Sequence, residues 1–335
     1  NLNKGEIEKI LIDVEFDKDL NITNYKINGS AKKINIKIFD DLLIQDVNLN
    51  FISDKNLTLI NSIRANYQGF SISNGSISMK RNKKIEIEGK FTSQFNFNED
   101  KAKKLFSKFN FNFLEKIKMN AQGSLLHKFT LVIDKNFKLI DYEYKTSGNI
   151  LKSKIILKDQ FRTSFIERPI NKISIFKTNL EINLNKKKQN FLMFNGLYNL
   201  GGLENKKFKV FYDLNLKNPK YSLDFNLPEN FFLEAINYTS NLKNKGNIKS
   251  EFKIINDNII FKNINFTEGK NSISINGLKL NKKREIELIS DVSVLTFNNN
   301  KENNNFKINF KEKIYITGKK YDTTYLLKQL LSDSK

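Results

Sequence analysis

The sequence predicts an all-β protein of antiparallel strands, on three observations. Apolar and polar residues alternate along most of the chain, and turn signals separate the alternating segments at intervals of about 8–12 residues. Only 3 prolines occur in 335 residues, which suits long, uninterrupted hydrogen-bonded ladders.

The elements follow in order. Alternation appears at Ile34-Ile36-Ile38, Ile77-Met79 and Ile85-Ile87, then at Leu180-Ile182-Leu184 and Tyr221-Leu223-Phe225-Leu227. It returns at Ile273-Ile275, Val292-Val294 and Phe306-Ile308-Phe310. Phe208–Leu216 shows it most clearly. Phe208, Val210, Tyr212, Leu214 and Leu216 share one side, and Lys209, Asp213 and Asn215 the other, with Phe211 the exception. Side chains alternate across a strand, and burying five such residues is worth about 8–15 kcal/mol. Asn28-Gly29, Asn74-Gly75, Ser147-Gly148, Asn218-Pro219 and Asn276-Gly277 read as turns between strands.

Three stretches leave the two-residue period and are expected to be helices. Asn98 caps the first, over Asn98–Lys116, with Glu99 and Asp100 at the positive end of its dipole. The second, Pro228–Leu242, has proline in its first turn and Phe232, Ala235 and Ile236 on one stripe. Asp322 opens the third, Asp322–Leu331, which groups Leu326, Leu327, Leu330 and Leu331. Three short helices do not cover the apolar faces of about twenty strands. The strands cover one another, as in a β-sandwich, or they cover something else. No strict sequence repeat is present.

Composition narrows the function classes. Lys+Arg 57 against Asp+Glu 36 gives a net charge of +21, which suits nucleic acid, anionic lipid or lipopolysaccharide. The crowding of Lys, Asn, Ile, Phe and Tyr, residues of A/T-rich codons, supplies part of that excess. The basic residues are spread along polar strand faces, and runs such as Lys186–Lys188 are short. Most aromatic residues occupy the apolar phase of their strands rather than a basic face, which argues against base stacking. The absence of cysteine excludes disulfides and thiolate metal sites. No stretch approaches the roughly 18 apolar residues of a membrane span. The chain opens at Asn1 rather than Met, so it is read as part of a longer protein with a signal or anchor expected upstream.

Catalytic motifs are lacking. His127, the single histidine, sits in GSLLHKF and reads as a structural histidine of a strand. Asp17–Ile22 begins like a calcium loop, but Ile22 stands where the turn needs glycine and Asn28 where the bidentate glutamate belongs. No phosphate-cradling glycine loop, nucleophile elbow or spaced carboxylate pair is found. The expectation is a non-enzyme without cofactor or metal.

The closing segment IYITGKKYDTTYLLKQLLSD, Ile314 to Asp333, adds a resemblance. A strand reaching a glycine (Gly318), then an aspartate (Asp322) opening a leucine-bearing helix (Leu326, Leu327), resembles the C-terminal region of the AsmA-like family, the TamB-related bridge-like lipid-transfer proteins. Glu268–Leu280 is similar to the family's recurring strand–glycine–strand phrase, as are the expected helices near Asn98 and Pro228. The likeness covers most of the chain as pattern, and its specific part is the last twenty or so residues. The resemblance implies a long curved antiparallel sheet forming an elongated apolar groove over residues 1–335, with a C-terminal helix at 322–331. It implies a periplasmic segment, anchored to the inner membrane by a part outside this chain, that shields phospholipid acyl chains on their way to the outer membrane. The partners are then phospholipids and inner- and outer-membrane proteins, with no specific nucleic acid. In that groove Val210, Leu214, Leu223, Phe225, Ile273, Ile275, Ile182 and Leu184 line the lipid path, while Lys209 and Asn215 meet water. A structural or adhesive β-scaffold and a basic nucleic-acid-binding β-protein are the alternative functions, and a β-sandwich the alternative fold.

Overall fold

The structure is a computed structural model that describes residues 2–38, 42–67, 69–101, 117–161, 169–187, 190–214, 219–227, 231–240, 246–325 and 327–328. Strands make up 77% and helix 4% of the described residues, among which twenty strands form one long antiparallel sheet that is not closed. The alternation thus reports a single sheet rather than the two face-packed sheets of a sandwich. By internal contacts the chain divides into two compact units, residues 1–154 with 177–191, and residues 155–176 with 192–335.

The first unit is a meander. β1 (Leu2–Phe16), β2 (Ile22–Ile38), β3 (Leu42–Asp54), β4 (Leu57–Tyr67), β5 (Phe70–Arg81), β6 (Ile85–Phe97) and β7 (Ile117–Ile133) pair antiparallel in sequence order. The start of the calcium-loop lookalike is the β1–β2 turn, where the Asp17 carboxylate accepts hydrogen bonds from the backbone N–H of Asp19 and Asn21. A line of bulges crosses β2 to β5, with left-handed backbone at Lys33, Asp46, Ser62 and Asn74. Aligned bulges bend neighbouring strands together and increase their twist.

Three expected turns do not form. Asn28-Gly29, Asn74-Gly75 and Ser147-Gly148 all lie inside strands. Asn74 alone takes φ 52° at its pair, producing a bulge rather than the two positive φ values of a hairpin turn. Gly29 and Gly75 are small because Phe51 and Ile63 on the neighbouring strands lean over them. The strands are consequently longer than expected, reaching 23 residues in β8 (Leu139–Phe161). β8 and β9 (Ile170–Asn185) contribute to both units.

The second unit continues through β10 (Phe191–Leu200), β11 (Lys206–Asp213), β12 (Lys220–Asn226), β13 (Phe232–Leu233), β14 (Tyr238–Thr239), β15 (Asn247–Ile255) and β16 (Asn258–Glu268). β17 (Asn271–Asn276), β18 (Lys279–Leu280), β19 (Ile286–Leu288), β20 (Asp291–Asn298), β21 (Lys301–Phe310) and β22 (Ile314–Lys320) complete it. β11, β12, β15, β16, β17, β20, β21 and β22 pair in that order, while β18 and β19 extend from the start of β16. Asn276-Gly277 does interrupt the chain where expected, with Gly277 at φ 63° after the end of β17.

The helical expectations fare differently. Within Asn98–Lys116, residues 99–101 are helical and Asn98 caps them by accepting from the Lys101 N–H, while residues 102–116 lie outside the described residues. Asp322 caps helical backbone at residues 324–325 and 327–328, accepting from the N–H and hydroxyl of Thr324, while Leu326 and residues 329–331 lie outside the described residues. Pro228–Leu242 is a correction. Its described part, residues 231–240, is the hairpin β13–β14 around a 3-10 turn at Glu234–Ile236. Asn237 turns left-handed at φ 47° and ends the helical backbone after one turn. Phe231 and Tyr238 then both stack edgewise on Phe266. Tertiary aromatic contacts override the helical stripe.

Candidate functional site: the apolar face of the sheet

Residues directly opposite each other on paired strands point to the same face, so register converts single strands into rows that cross the sheet. In the second unit Phe208, Phe225, Ile248, Phe266, Ile273, Val294, Phe306 and Gly318 are successive partners and form one row. Two residues along each strand, Val210, Leu223, Ser250, Ile264, Ile275, Val292, Ile308 and Ile316 form a second. Fifteen positions out of these sixteen are apolar or glycine. A third row begins with Tyr212, Tyr221 and Phe252, whose rings stack at 4.3 and 4.9 Å.

The reverse face has the opposite chemistry. Its row runs Lys209, Asp224, Lys249, Asn265, Ser274, Ser293, Lys307, Thr317. Lys249 pairs with Asp224 at 3.6 Å, Lys307 with Asp291 at 3.4 Å, and Ser274 donates to Asn265 at 2.7 Å. Exposed pairs of this kind add little stability, but they keep that face wet.

Of the sequence-nominated residues, Val210, Leu223, Phe225, Ile273 and Ile275 come together on the apolar face, in two adjacent rows. All five are half-buried. Leu214 lies one residue past the end of β11, outside the ladder, because the strand stops at Asp213 rather than running to Leu216. Asn215 and Leu216 lie outside the described residues. Ile182 and Leu184 belong to the first unit, half-buried on the β9 phase that also carries buried Leu180. Lys209 is exposed on the reverse face, opposite Asp224.

Sequence reasoning passed over Ile248, Ile264 and Phe266, although each keeps the two-residue phase of its strand. It also passed over Glu268, Asn271, Thr296 and Asn304, which continue β16, β17, β20 and β21 on the apolar face. These four polar side chains are 2, 9, 0 and 0% exposed. Nothing in the alternation signals them, since a polar residue on an apolar phase reads only as a break in the pattern.

In the first unit Ile10, Gly29, Phe51, Ile60, Ile77, Gly89 and Phe129 are successive partners and form one row. Tyr67, Phe70, Phe95 and Phe97 cluster with ring separations of 4.9 to 6.5 Å. His127 stacks on Phe91 at 4.4 Å and is buried. Its Nε2 is 2.7 Å from the Ser93 hydroxyl, and its Nδ1 is 2.8 and 3.0 Å from the Tyr144 and Thr146 hydroxyls. Burial lowers its pKa to about 4, so the ring is neutral at pH 7. These three partners are hydroxyls, and their geometry fixes a buried ring in a hydrogen-bonded site.

Among the described residues no cluster of three His, Asp or Glu side chains has the geometry to hold a metal ion, and no helix is long and apolar enough to cross a membrane. Comparison of the chain with models of protein families, with curated proteins and with solved structures finds no match.

Proposed function

We propose that this chain is a lipid-binding and transfer segment, in which the apolar sheet face shields phospholipid acyl chains between the inner and outer membranes of a periplasm. The observation that carries the reading is the pair of apolar rows across the second unit, half-buried at Val210, Leu223, Phe225, Ile273 and Ile275 and backed by a polar face. Transfer of acyl chains from water onto such a surface is favourable by about 0.8 kcal/mol per methylene. Aliphatic side chains make no directional bonds, so neighbouring positions along a row hold a chain with similar energy and it slides between them. The reading needs no catalytic group, cofactor or metal. The periplasmic setting, the inner-membrane anchor and the membrane-protein partners rest on the likeness of Ile314–Asp333 to the AsmA-like family, in which Asp322 opens the final helix.

The test is direct. Protein purified without detergent is extracted and its lipids identified by mass spectrometry. Stoichiometric phospholipid with little head-group preference is expected. Protein that carries none, and takes up no fluorescent phospholipid from vesicles, overturns the proposal in favour of a structural scaffold.

A further inference from the structure

Burial divides the first of the two apolar rows. On β11, β12, β15 and β17 its residues, Phe208, Phe225, Ile248 and Ile273, are half-buried, whereas on β16, β20 and β21 they are Phe266, Val294 and Phe306, at 6, 5 and 7% exposed. The second row is half-buried at Val210, Leu223, Ile264, Ile275, Val292 and Ile308, buried at Ser250 and exposed at Ile316. Residues 231–240 and Tyr321 cover the ends of this buried stretch. Phe231 and Tyr238 stand edgewise against Phe266 at 5.0 and 5.9 Å, and Tyr321 stands edgewise against Phe306 at 5.1 Å.

Polar bonds fix the hairpin in place. The Tyr238 hydroxyl donates to Glu268, and Asn304 donates to the Ile236 carbonyl at 2.7 Å. The Asp322 N–H donates to Asn304 Oδ1 at 2.9 Å, and Asn237 donates to the Asp322 carboxylate at 3.0 Å. The Tyr321 hydroxyl donates to the Ala235 carbonyl at 3.0 Å. Buried polar groups are favourable only when satisfied, and here they are satisfied by the hairpin and by the residues after β22. The polar side chains that alternation does not explain, Thr296 and Asn304, lie beneath this cover.

We infer that residues 231–240, latched to Tyr321 and Asp322, form a strap that withdraws Phe266, Val294 and Phe306 of the first apolar row from lipid, so that the two-row path on β11 and β12 narrows on β16, β20 and β21 to the single row through Ile264, Val292 and Ile308. This rests on the lipid-transfer reading and adds to it where the path is wide, where it is narrow and which residues set the width.

Vesicles of phosphatidylethanolamine and phosphatidylglycerol, doped with a phospholipid bearing a diazirine at mid-chain, are irradiated with the unmodified protein. Labelled residues are located by mass spectrometry. Label is expected on Phe208, Phe225, Ile275, Val292 and Ile308, and at least tenfold less on Phe266, Val294 and Phe306. Equal labelling of both rows throughout overturns the strap while leaving lipid transfer standing. Absence of label from the whole apolar face overturns lipid transfer itself. The double variant Asn237→Ala, Tyr321→Phe removes two latch bonds and leaves Phe231, Tyr238 and Asn304 intact. With its cooperative melting transition retained, labelling of Val294 and Phe306 rises toward that of Val292. Unchanged protection of those residues in that folded variant overturns the strap. If the double variant melts without cooperativity, Tyr321→Phe alone carries the same two outcomes.

Discussion

Replacing Ile275 by aspartate separates an open apolar face from a packed interior. Ile275 is half-buried between Ile264 and Val292. Truncating it forfeits about half of the 1.5–3 kcal/mol that full burial contributes, roughly 1 kcal/mol. The weaker strand preference of aspartate adds up to about 1 kcal/mol. A half-exposed position lets the carboxylate reach water, so it escapes the several kcal/mol that an unpaired buried charge costs. The total, about 2 kcal/mol, is small beside a typical stability of about 5–15 kcal/mol. It corresponds to a fall in Tm of about 4–8 °C for a domain of this size. The charge nevertheless stands in the middle of the second row, where an acyl chain would have to desolvate it. Thermal unfolding followed by circular dichroism, together with quantified co-purifying phospholipid, reads both effects. The expected result is a retained cooperative transition with lipid content reduced several-fold. Loss of the transition would mean that this face is a closed core, and unchanged lipid would mean that acyl chains do not lie on it. Ser293→Asp, on the reverse face directly opposite Lys307, should leave both readouts unchanged.

Other outcomes follow from the same structure. The His127 pKa is about 4 in the folded protein against 6.5 for the free side chain. The unfolded chain therefore binds the extra proton as pH falls below 6.5, and the stability present above that value declines toward pH 4 by up to about 3 kcal/mol. Urea titrations at pH 7.5 and 4.5 should show this loss, and His127→Gln should flatten the part between pH 4 and 6.5. Gly148→Ala should destabilise by about 1–3 kcal/mol, because a Cβ there meets the Leu125 backbone at 2.7 Å; an unchanged denaturation midpoint would refute that crowding. Phe266→Ala, which removes the ring shared by Phe231 and Tyr238, should cost about 3–5 kcal/mol by the same assay. Binding to single-stranded DNA should be weak and blind to sequence, and steep salt-dependent binding at submicromolar protein would favour the nucleic-acid alternative.

The sequence by itself determined the strand content and the two-sided chemistry. Alternation is a local property, and the side chains of Phe208–Asp213, Tyr221–Phe225 and Ile273–Ile275 needed only the period of an extended chain to be sorted into faces. It also determined where Asp322 opens a helix, because a cap is satisfied within three residues. Register, by contrast, belongs to pairs of strands. Only tertiary structure decided that Val210 faces Leu223 and that Ile275 faces Val292, which assembles scattered residues into rows. The same holds where local signals misled. Asn74-Gly75 reads as a turn because both residues tolerate unusual backbone, and whether that freedom makes a turn or a bulge depends on the strand beside it. The stripe in Phe232–Ile236 reads as a helix until Phe266 offers its ring to Phe231 and Tyr238. The burial of Thr296 and Asn304 was invisible for the same reason, since the partners that satisfy Asn304 come from Ile236, 68 residues away, as well as from Asp322. A polar side chain carries no mark of whether water or a distant backbone carbonyl will satisfy it, and that choice is made only when the chain closes on itself.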